Sequence, residues 1–268
     1  MKILVTGATG NIGRKVVDHL LAAGATDIRA LTVDPRRAAL PRQVDVVRGY
    51  LRKVDTLPAA LDGVERMYLA PTVETVSDVV AAAQRAGVRH IVDLSGEPQS
   101  WWGTVAEAVE SFDGTWTHLW PGDFMENTLV WAPQIRATGT VNEPWPAAAS
   151  TPVAMDDIAA LAATVLLQPG HEDRAYPITG PQILTRTDLV RLIGLAVGQR
   201  IRFVDATRDE TVRGLSAVMG DNAGWYVDNV LAGMSTHPDP PTRTVEQVTG
   251  RPATTFASWA AMHAHDFR

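Results

Sequence analysis

The chain has no cysteine, and lysine stands only at positions 2, 15 and 53. Without cysteine there are no disulfides, no thiolate metal sites and no cysteine nucleophiles, which fits a cytoplasmic protein. No basic run exceeds Arg36-Arg37, and the formal net charge is -6 with mixed signs, so neither a nucleic-acid nor an anionic-membrane surface is expected. No uninterrupted apolar run is long enough to span a bilayer. The first strand signal begins at residue 2 and leaves no room for a signal peptide. Internal repeats, low-complexity tails and an interdomain linker are all missing. What remains is a 268-residue chain, 46% hydrophobic, able to bury a sizeable core.

The amino terminus carries the sharpest signal. Lys2 to Thr6 reads as a short buried strand, followed by Gly7-Ala8-Thr9-Gly10-Asn11-Ile12-Gly13 and a helix-compatible run from Arg14 to Ala23. Strand, glycine turn and helix form the context in which a glycine motif binds a dinucleotide. Gly7 permits the tight turn, Gly10 lets backbone amides approach a pyrophosphate, and Gly13 lets helix and strand pack closely. The free amides at the helix start, with the helix dipole behind them, favour an anion. The spacing is GxxGxxG rather than GxGxxG.

Strand and helix signals then alternate, as a parallel doubly wound sheet requires. Strands are expected at 27–33, 44–48, 66–70, 90–95 and 115–120. Helices are expected at 56–61, 76–86 and 101–112. Residues 123–150 read as irregular. Beyond them come a helix capped by Asp156 or Asp157 and running to 167, a strand at 176–179, and a helix at 188–197 capped by Thr187. A strand at 201–205, helices at 208–219 and 224–233, and a last helix starting near Thr255 complete the reading.

In order along the chain, TGATGNIG (6–13), GVRHIVDLSG (87–96), TWTHLWPGDFMEN (115–127), MDDIA (155–159), YPITGP (176–181) and VTGRPATTFASWA (248–260) are similar to the NmrA-like family of atypical short-chain dehydrogenases/reductases. The resemblance covers nearly the whole chain. It implies a Rossmann-type α/β fold with a smaller C-terminal substrate lobe. Residues 1–150 would form the dinucleotide-binding core, and 151–268 the remaining core elements and the lobe, in one compact unit. It also implies that Gly7, Thr9, Gly10, Asn11, Ile12 and Gly13 contact the pyrophosphate. Leu51 would border the adenine, Ala70 and Pro71 the ribose and nicotinamide, Ser95 the nicotinamide, and Pro121 and Gly122 the carboxamide. Three positions depart from the pattern: Gly49-Tyr50-Leu51 where relatives often read Gly-Asp-Leu, Val33 where an arginine often grips a 2′-phosphate, and Trp120-Pro121-Gly122 where Arg-Pro-Gly is usual.

An NAD site wants a carboxylate near the end of the second strand, and an NADP site a guanidinium. Thr32 and Val33 supply neither. Thr32, Arg36 and Arg37, with Arg14, are the candidates at this end, and the two adjacent arginines favour NADP(H) over NAD(H). A solvated surface pair is the plainer reading of Arg36-Arg37.

The Tyr-x-x-x-Lys pair of short-chain reductases, in which lysine lowers a tyrosine pKa for proton relay, is missing: no tyrosine has a lysine four residues on. Hydride transfer does not require it, because the cofactor supplies the hydride. Ser95, Asp123, Glu126 and Asn127 are the candidates for the catalytic end. Each also has an ordinary role open to it: a turn cap for Ser95, a helix cap for Asp123, solvation for Glu126. His118, mid-strand and on the face opposite Thr117 and Leu119, reads as a structural histidine. His263 and His265 are two apart and do not share a helix face, so no metal site is expected. Of the eight tryptophans, six cluster between 101 and 145. Trp102, Trp120 and Trp131, with Phe124, are candidates for the walls of a pocket for a planar apolar molecule. Trp116 and Trp259 read as core.

These features lead to an NAD(P)H-dependent reductase of a small apolar or aromatic acceptor such as a quinone, carbonyl or conjugated alkene. Two other readings are open: a nucleotide-sensing regulator that binds without turnover, and a non-redox cyclase or isomerase on the same fold.

Overall fold

The computed structural model describes residues 1–232 and 238–268. Its strands are β1 (Ile3–Val5), β2 (Ile28–Thr32), β3 (Asp45–Arg48), β4 (Arg66–Leu69), β5 (His90–Leu94), β6 (Thr115–Pro121), β7 (Thr140–Glu143), β8 (Ala149–Ser150), β9 (Arg174–Ile178), β10 (Leu184–Thr185) and β11 (Arg202–Asp205). The chain divides into two compact units that interleave along the sequence. One comprises Met1–Pro121, Met155–Ile178 and Thr244–Arg251. The other comprises Gly122–Ala154, Thr179–Arg243 and Pro252–Arg268.

The first unit is a seven-stranded parallel sheet in the order β3-β2-β1-β4-β5-β6-β9. Strand order reverses between β1 and β4, the switch point at which such sheets bind ligands. Its strands are short, mostly buried runs, as a sheet covered on both faces demands. On one face Leu4, Leu31, Met67, Leu69 and Ile91 pack with Leu57, Leu61, Val79, Val80, Val105 and Phe112 from the crossover segments. Elsewhere the first helix (Asn11–Ala22) packs on the alanine-rich helix Met155–Leu167. Arg66 donates to the Leu166 carbonyl at 2.9 Å and so satisfies the carboxyl end of that helix.

The second unit has its own core, in which Trp131, Ile135, Leu189, Ile193, Phe256, Trp259 and Phe267 meet. β7 pairs with β11 in parallel, and β8 with β10 antiparallel. Trp259 is buried here, and Trp116 is partly buried in the first unit, as expected for core positions.

Most expected elements form within a residue or two of their limits. The exception is 123–150, where the structure contains a 3₁₀ segment (Met125–Trp131), a helix (Ala132–Thr138), β7 and β8. Short elements of this kind draw stability from neighbours distant in sequence, not from a local period. The helix expected after Thr187 starts two residues earlier. Thr185 caps it, accepting from the Asp188 amide at 3.1 Å while Asp188 accepts from the Thr185 amide at 3.2 Å. Asp156 and Asp157 both lie inside the first turn of the helix, which begins at Met155, so neither precedes it as a cap; Asp156 Oδ1 lies 3.1 Å from His19 Nε2 and 3.9 Å from Lys15 Nζ. The segment expected as a helix over 224–233 is helical from Asn222 to Tyr226 and continues as a π-helical turn, Val227–Leu231. Residue 233 lies outside the described residues.

His90 opens β5, with Nδ1 2.8 Å from the Thr115 hydroxyl and Nε2 3.3 Å from that of Thr117. Burial first, and the Arg66 charge second, lower its pKa to about 4 from 6.5. The unfolded chain therefore takes up a proton between pH 6.5 and 4 that the folded chain refuses. Stability present above pH 6.5 is lost as pH falls through that window, by on the order of 3 kcal/mol at most. Guanidinium unfolding of His90→Asn and wild type across pH 4–7 is expected to show a shallower acid loss in the variant; equal slopes would contradict this.

Candidate functional site

Thr6 ties the ends of β1 and β4 together. Its hydroxyl donates to the Tyr68 carbonyl at 3.0 Å and accepts from the Ala70 amide at 2.8 Å. The chain then turns at Gly7, whose φ of +58° suits glycine, and a Cβ there would come within 2.9 Å of Ala70 Cβ. The Gly10 amide donates to the Gly7 carbonyl at 2.8 Å, and the first helical bond runs from the Arg14 amide to the Gly10 carbonyl at 3.1 Å. Between them, the amides of Asn11, Ile12 and Gly13 have no protein acceptor among the described residues, and no side chain caps the helix. A Cβ on Gly13 would lie 2.3 Å from the Gly7 carbonyl oxygen. The helix thus sits as close to the turn as a backbone can, with three bare donors at its positive end, an arrangement built for a phosphate group.

Beside this cradle, Thr9 Oγ1 lies 3.5 Å from Thr32 Oγ1 at the end of β2. Arg36 and Arg37 are exposed on a one-turn 3₁₀ helix (Pro35–Arg37) that Asp34 caps by accepting from the Arg36 amide at 3.1 Å. Arg14 turns away from the cradle, donating to the carbonyls of Ala38 and Ala39 at 3.0 and 2.5 Å.

Val33 borders an open groove of about 640 Å³ together with Arg48, Gly49, Tyr50, Lys53 and Thr56. A Cβ on Gly49 would fall 2.6 Å from Leu31 Cδ1, so the chain turns tightly out of β3. The Tyr50 amide donates to Thr56 Oγ1 at 2.9 Å, and the Lys53 amide to the Tyr50 carbonyl at 2.8 Å. Neither Arg48 nor Lys53 has an ion-pair partner among the described residues. Sequence reasoning missed these two cations. The scarcity of lysine and the departure at Gly49-Tyr50 were the available signals. Leu51 is buried in the core, its carbonyl accepting from Thr75 Oγ1 at 3.0 Å.

At the far side of the switch point Ala70 and Pro71 are half-buried, and Ser95, just past β5, is buried and donates its amide to the Leu119 carbonyl at 3.0 Å. Pro121 ends β6, paired with Ile178 of β9. Trp120 is partly buried and Trp102 is 44% exposed.

The second unit gathers another set. Asp123 accepts from Asn127 Nδ2 and from Ser150 Oγ, each at 2.8 Å. Glu143, fully buried, accepts from Trp131 Nε1 at 2.6 Å and from Arg186 Nη1 at 2.7 Å. These groups and Tyr226 line a cavity of about 30 Å³, room for a water or two. Burial pushes the Asp123 and Glu143 carboxyls up, and Arg186 opposes it in both. Burial, then the charges of Glu143 and Asp123, push the Tyr226 phenol up. Asn127 and Asp123 thus come together, while Glu126 is tied elsewhere, accepting from Trp259 Nε1 at 3.2 Å. Trp131 is a buried wall of this cavity, and Phe124 is half-buried in a bridge to Val153. Among the described residues no cluster of His, Asp and Glu could hold a metal ion, and no helix is long and apolar enough to cross a membrane.

The family model described as "NmrA-like family" matches residues 1–97. An NAD(P)H azoreductase from Xenophilus azovorans is 34% identical over 290 residues, spanning 99% of each chain. This chain belongs to the NmrA-like family. Quinone oxidoreductase 2 from Escherichia coli (strain K12) is 27% identical over 95% of this chain and 96% of its own. Among solved structures, Citrobacter sp. triphenylmethane reductase complexed with NADP(H) superposes with a TM-score of 0.88 at 22% identity, covering 98% of this chain and 100% of that one. That likeness is one of fold.

Gly13→Ala tests the cradle. The added methyl must displace the Gly7 carbonyl and with it the free amides, so NADPH binding followed by tryptophan fluorescence should weaken by more than about tenfold. Binding within twofold of wild type would contradict the geometry.

Proposed function

We propose that this protein is an NAD(P)H-dependent reductase of a small apolar or aromatic acceptor: a quinone, an azo compound, a carbonyl or a conjugated alkene. The observation that carries the reading is the phosphate cradle, with three unsatisfied amides at the head of the first helix and a backbone approach that only glycine allows. Full-length similarity to an NAD(P)H azoreductase and to quinone oxidoreductase 2 supports the acceptor class.

The residues present fit a dinucleotide. Asn11, Ile12 and Gly13 would hold the pyrophosphate by their amides, and Tyr50 offers a partly exposed ring over the groove beyond β3. Arg48 and Lys53 line that groove, and no carboxylate lines it to grip ribose hydroxyls, which favours NADP(H) over NAD(H). When bound, the cofactor supplies the hydride. The chain's part is to orient it along the carboxyl ends of β1, β4 and β5 and to keep water from the transfer.

Titration of NADPH and NADH by tryptophan fluorescence, followed by absorbance assays against quinones, enones and azo dyes, tests this directly. Binding with oxidation is the expected result. Binding without turnover of any acceptor would point to a sensor, and absence of binding to a redox-free enzyme. Arg48→Ala and Lys53→Ala should each weaken NADPH by roughly tenfold or more, while leaving NADH near its wild-type affinity. Equal losses for both nucleotides would remove these residues from the 2′-phosphate.

A further inference from the structure

The second unit holds a carboxylate that no cation in direct contact balances. The cavity of about 30 Å³ described above is lined entirely by residues of that unit. Its floor is buried and internally paired. Arg186 Nη1 lies 2.7 Å from Glu143 Oε2, Trp131 Nε1 donates to Glu143 Oε1 at 2.6 Å, and Arg186 Nη2 donates to the Leu231 carbonyl at 3.1 Å. Asp123 stands at the half-buried side. Its oxygens accept only from neutral donors, Asn127 Nδ2 and Ser150 Oγ, each at 2.8 Å. Among the described residues it has no ion-pair partner, and Arg186 acts on it only as a more distant charge.

Charge and hydrogen-bonding capacity define what fits this space. Two carboxylates and one guanidinium line it, which leaves one negative charge over when both acids are ionised. Each carboxylate oxygen keeps a lone pair beyond the donor it already accepts, so acceptors outnumber donors. The Tyr226 hydroxyl, with no hydrogen-bond partner among the described residues, adds one more. Burial disfavours the ionised form of Asp123, and a cation seated beside it would remove that penalty. The rings of Trp131 and Tyr226 line the same space, and their π systems attract a cation. Size sets the limit. Room for a water or two is room for an ammonium group, which has three donors and no acceptor; a trimethylated nitrogen is too bulky.

We propose that this cavity binds the protonated amino group of a small primary amine, with the ammonium against Asp123 and the carbon chain passing out beside Asn127, Ser150 and Tyr226. Those three residues are half-buried and form the open side, while Trp131, Glu143 and Arg186 close the other. Asp123 supplies the charge, Tyr226 and Trp131 the aromatic walls. Arg186 stays turned to Glu143 and the Leu231 carbonyl, which keeps its fork engaged away from the guest. The site needs no cofactor and stands apart from the reductase reading.

Benzylammonium titrated into the full-length ¹⁵N-labelled protein at neutral pH tests this. The Trp131 indole N–H, bonded to Glu143 in the cavity floor, reports occupancy. Its resonance should move saturably. Benzylammonium should bind at least about tenfold tighter than benzyl alcohol, which lacks the charge, and than benzyltrimethylammonium, which keeps the charge but has no N–H and does not fit. Asp123→Asn should weaken benzylammonium by about tenfold or more and leave benzyl alcohol unchanged. An indole resonance that stays in place at high amine concentration overturns the site, as does equal affinity for the three compounds. That comparison needs no variant, so it decides the matter even where Asp123→Asn fails to fold. An Nα-acetyl-lysine amide that binds where benzylammonium does not would make the guest a lysine side chain and overturn the small-molecule assignment.

Discussion

The distance between the first helix and the turn that precedes it governs the first unit. Gly13 is held against the Gly7 carbonyl so closely that no side chain fits, and this leaves the helix to begin with three amides facing outward and no partner. An unsatisfied donor costs free energy, on the order of 1–3 kcal/mol where water cannot replace the bond, and an anion placed there would remove that cost. The rest of the sheet supports that turn. Thr6 clamps β1 to β4, the reversal of strand order opens the crevice beside it, and the Met155–Leu167 helix backs the first helix and fixes its direction.

The groove beside the end of β2 is lined by residues other than those that stand out in the sequence. The chain has Val33 at the end of β2 and Tyr50 after β3, the positions where the family resemblance leads to the expectation of arginine and aspartate. The groove at that place is nonetheless lined by Arg48 and Lys53, both free of carboxylate partners among the described residues. Cationic charge beside the cradle is present, supplied from the β3 turn rather than the β2 end. Arg36 and Arg37, the more conspicuous pair in the sequence, stand on an exposed 3₁₀ turn instead.

The parts of this molecule legible in the sequence are those set by local rules. The glycine turn, the alternation of short apolar strands with amphipathic helices, and the helix ends marked by Gly24, Gly87 and Gly198 follow from backbone conformation and spacing. What was not legible depends on pairing across the chain. β8 and β10 are two residues each and exist because each finds the other. Glu143 lies in the 123–150 stretch that reads as irregular, and only the fold brings Arg186 and Trp131 around it. His118 is identifiable as mid-strand, but the aspartate opposite it is 25 residues away, and only the β5–β6 register brings the two within 2.6 Å. The same holds for Arg48 and Lys53, which become neighbours of Val33 through the β2–β3 pairing.

The central claim is that the bare amides of the amino-terminal turn are the seat of the cofactor's pyrophosphate. Backbone NMR of the ¹⁵N-labelled protein titrated with NADPH tests it most directly. The account predicts that the amide protons of Asn11, Ile12 and Gly13 move strongly downfield and become protected from exchange, ahead of resonances elsewhere in the first helix. Saturable NADPH binding that leaves those three amides unmoved would contradict it.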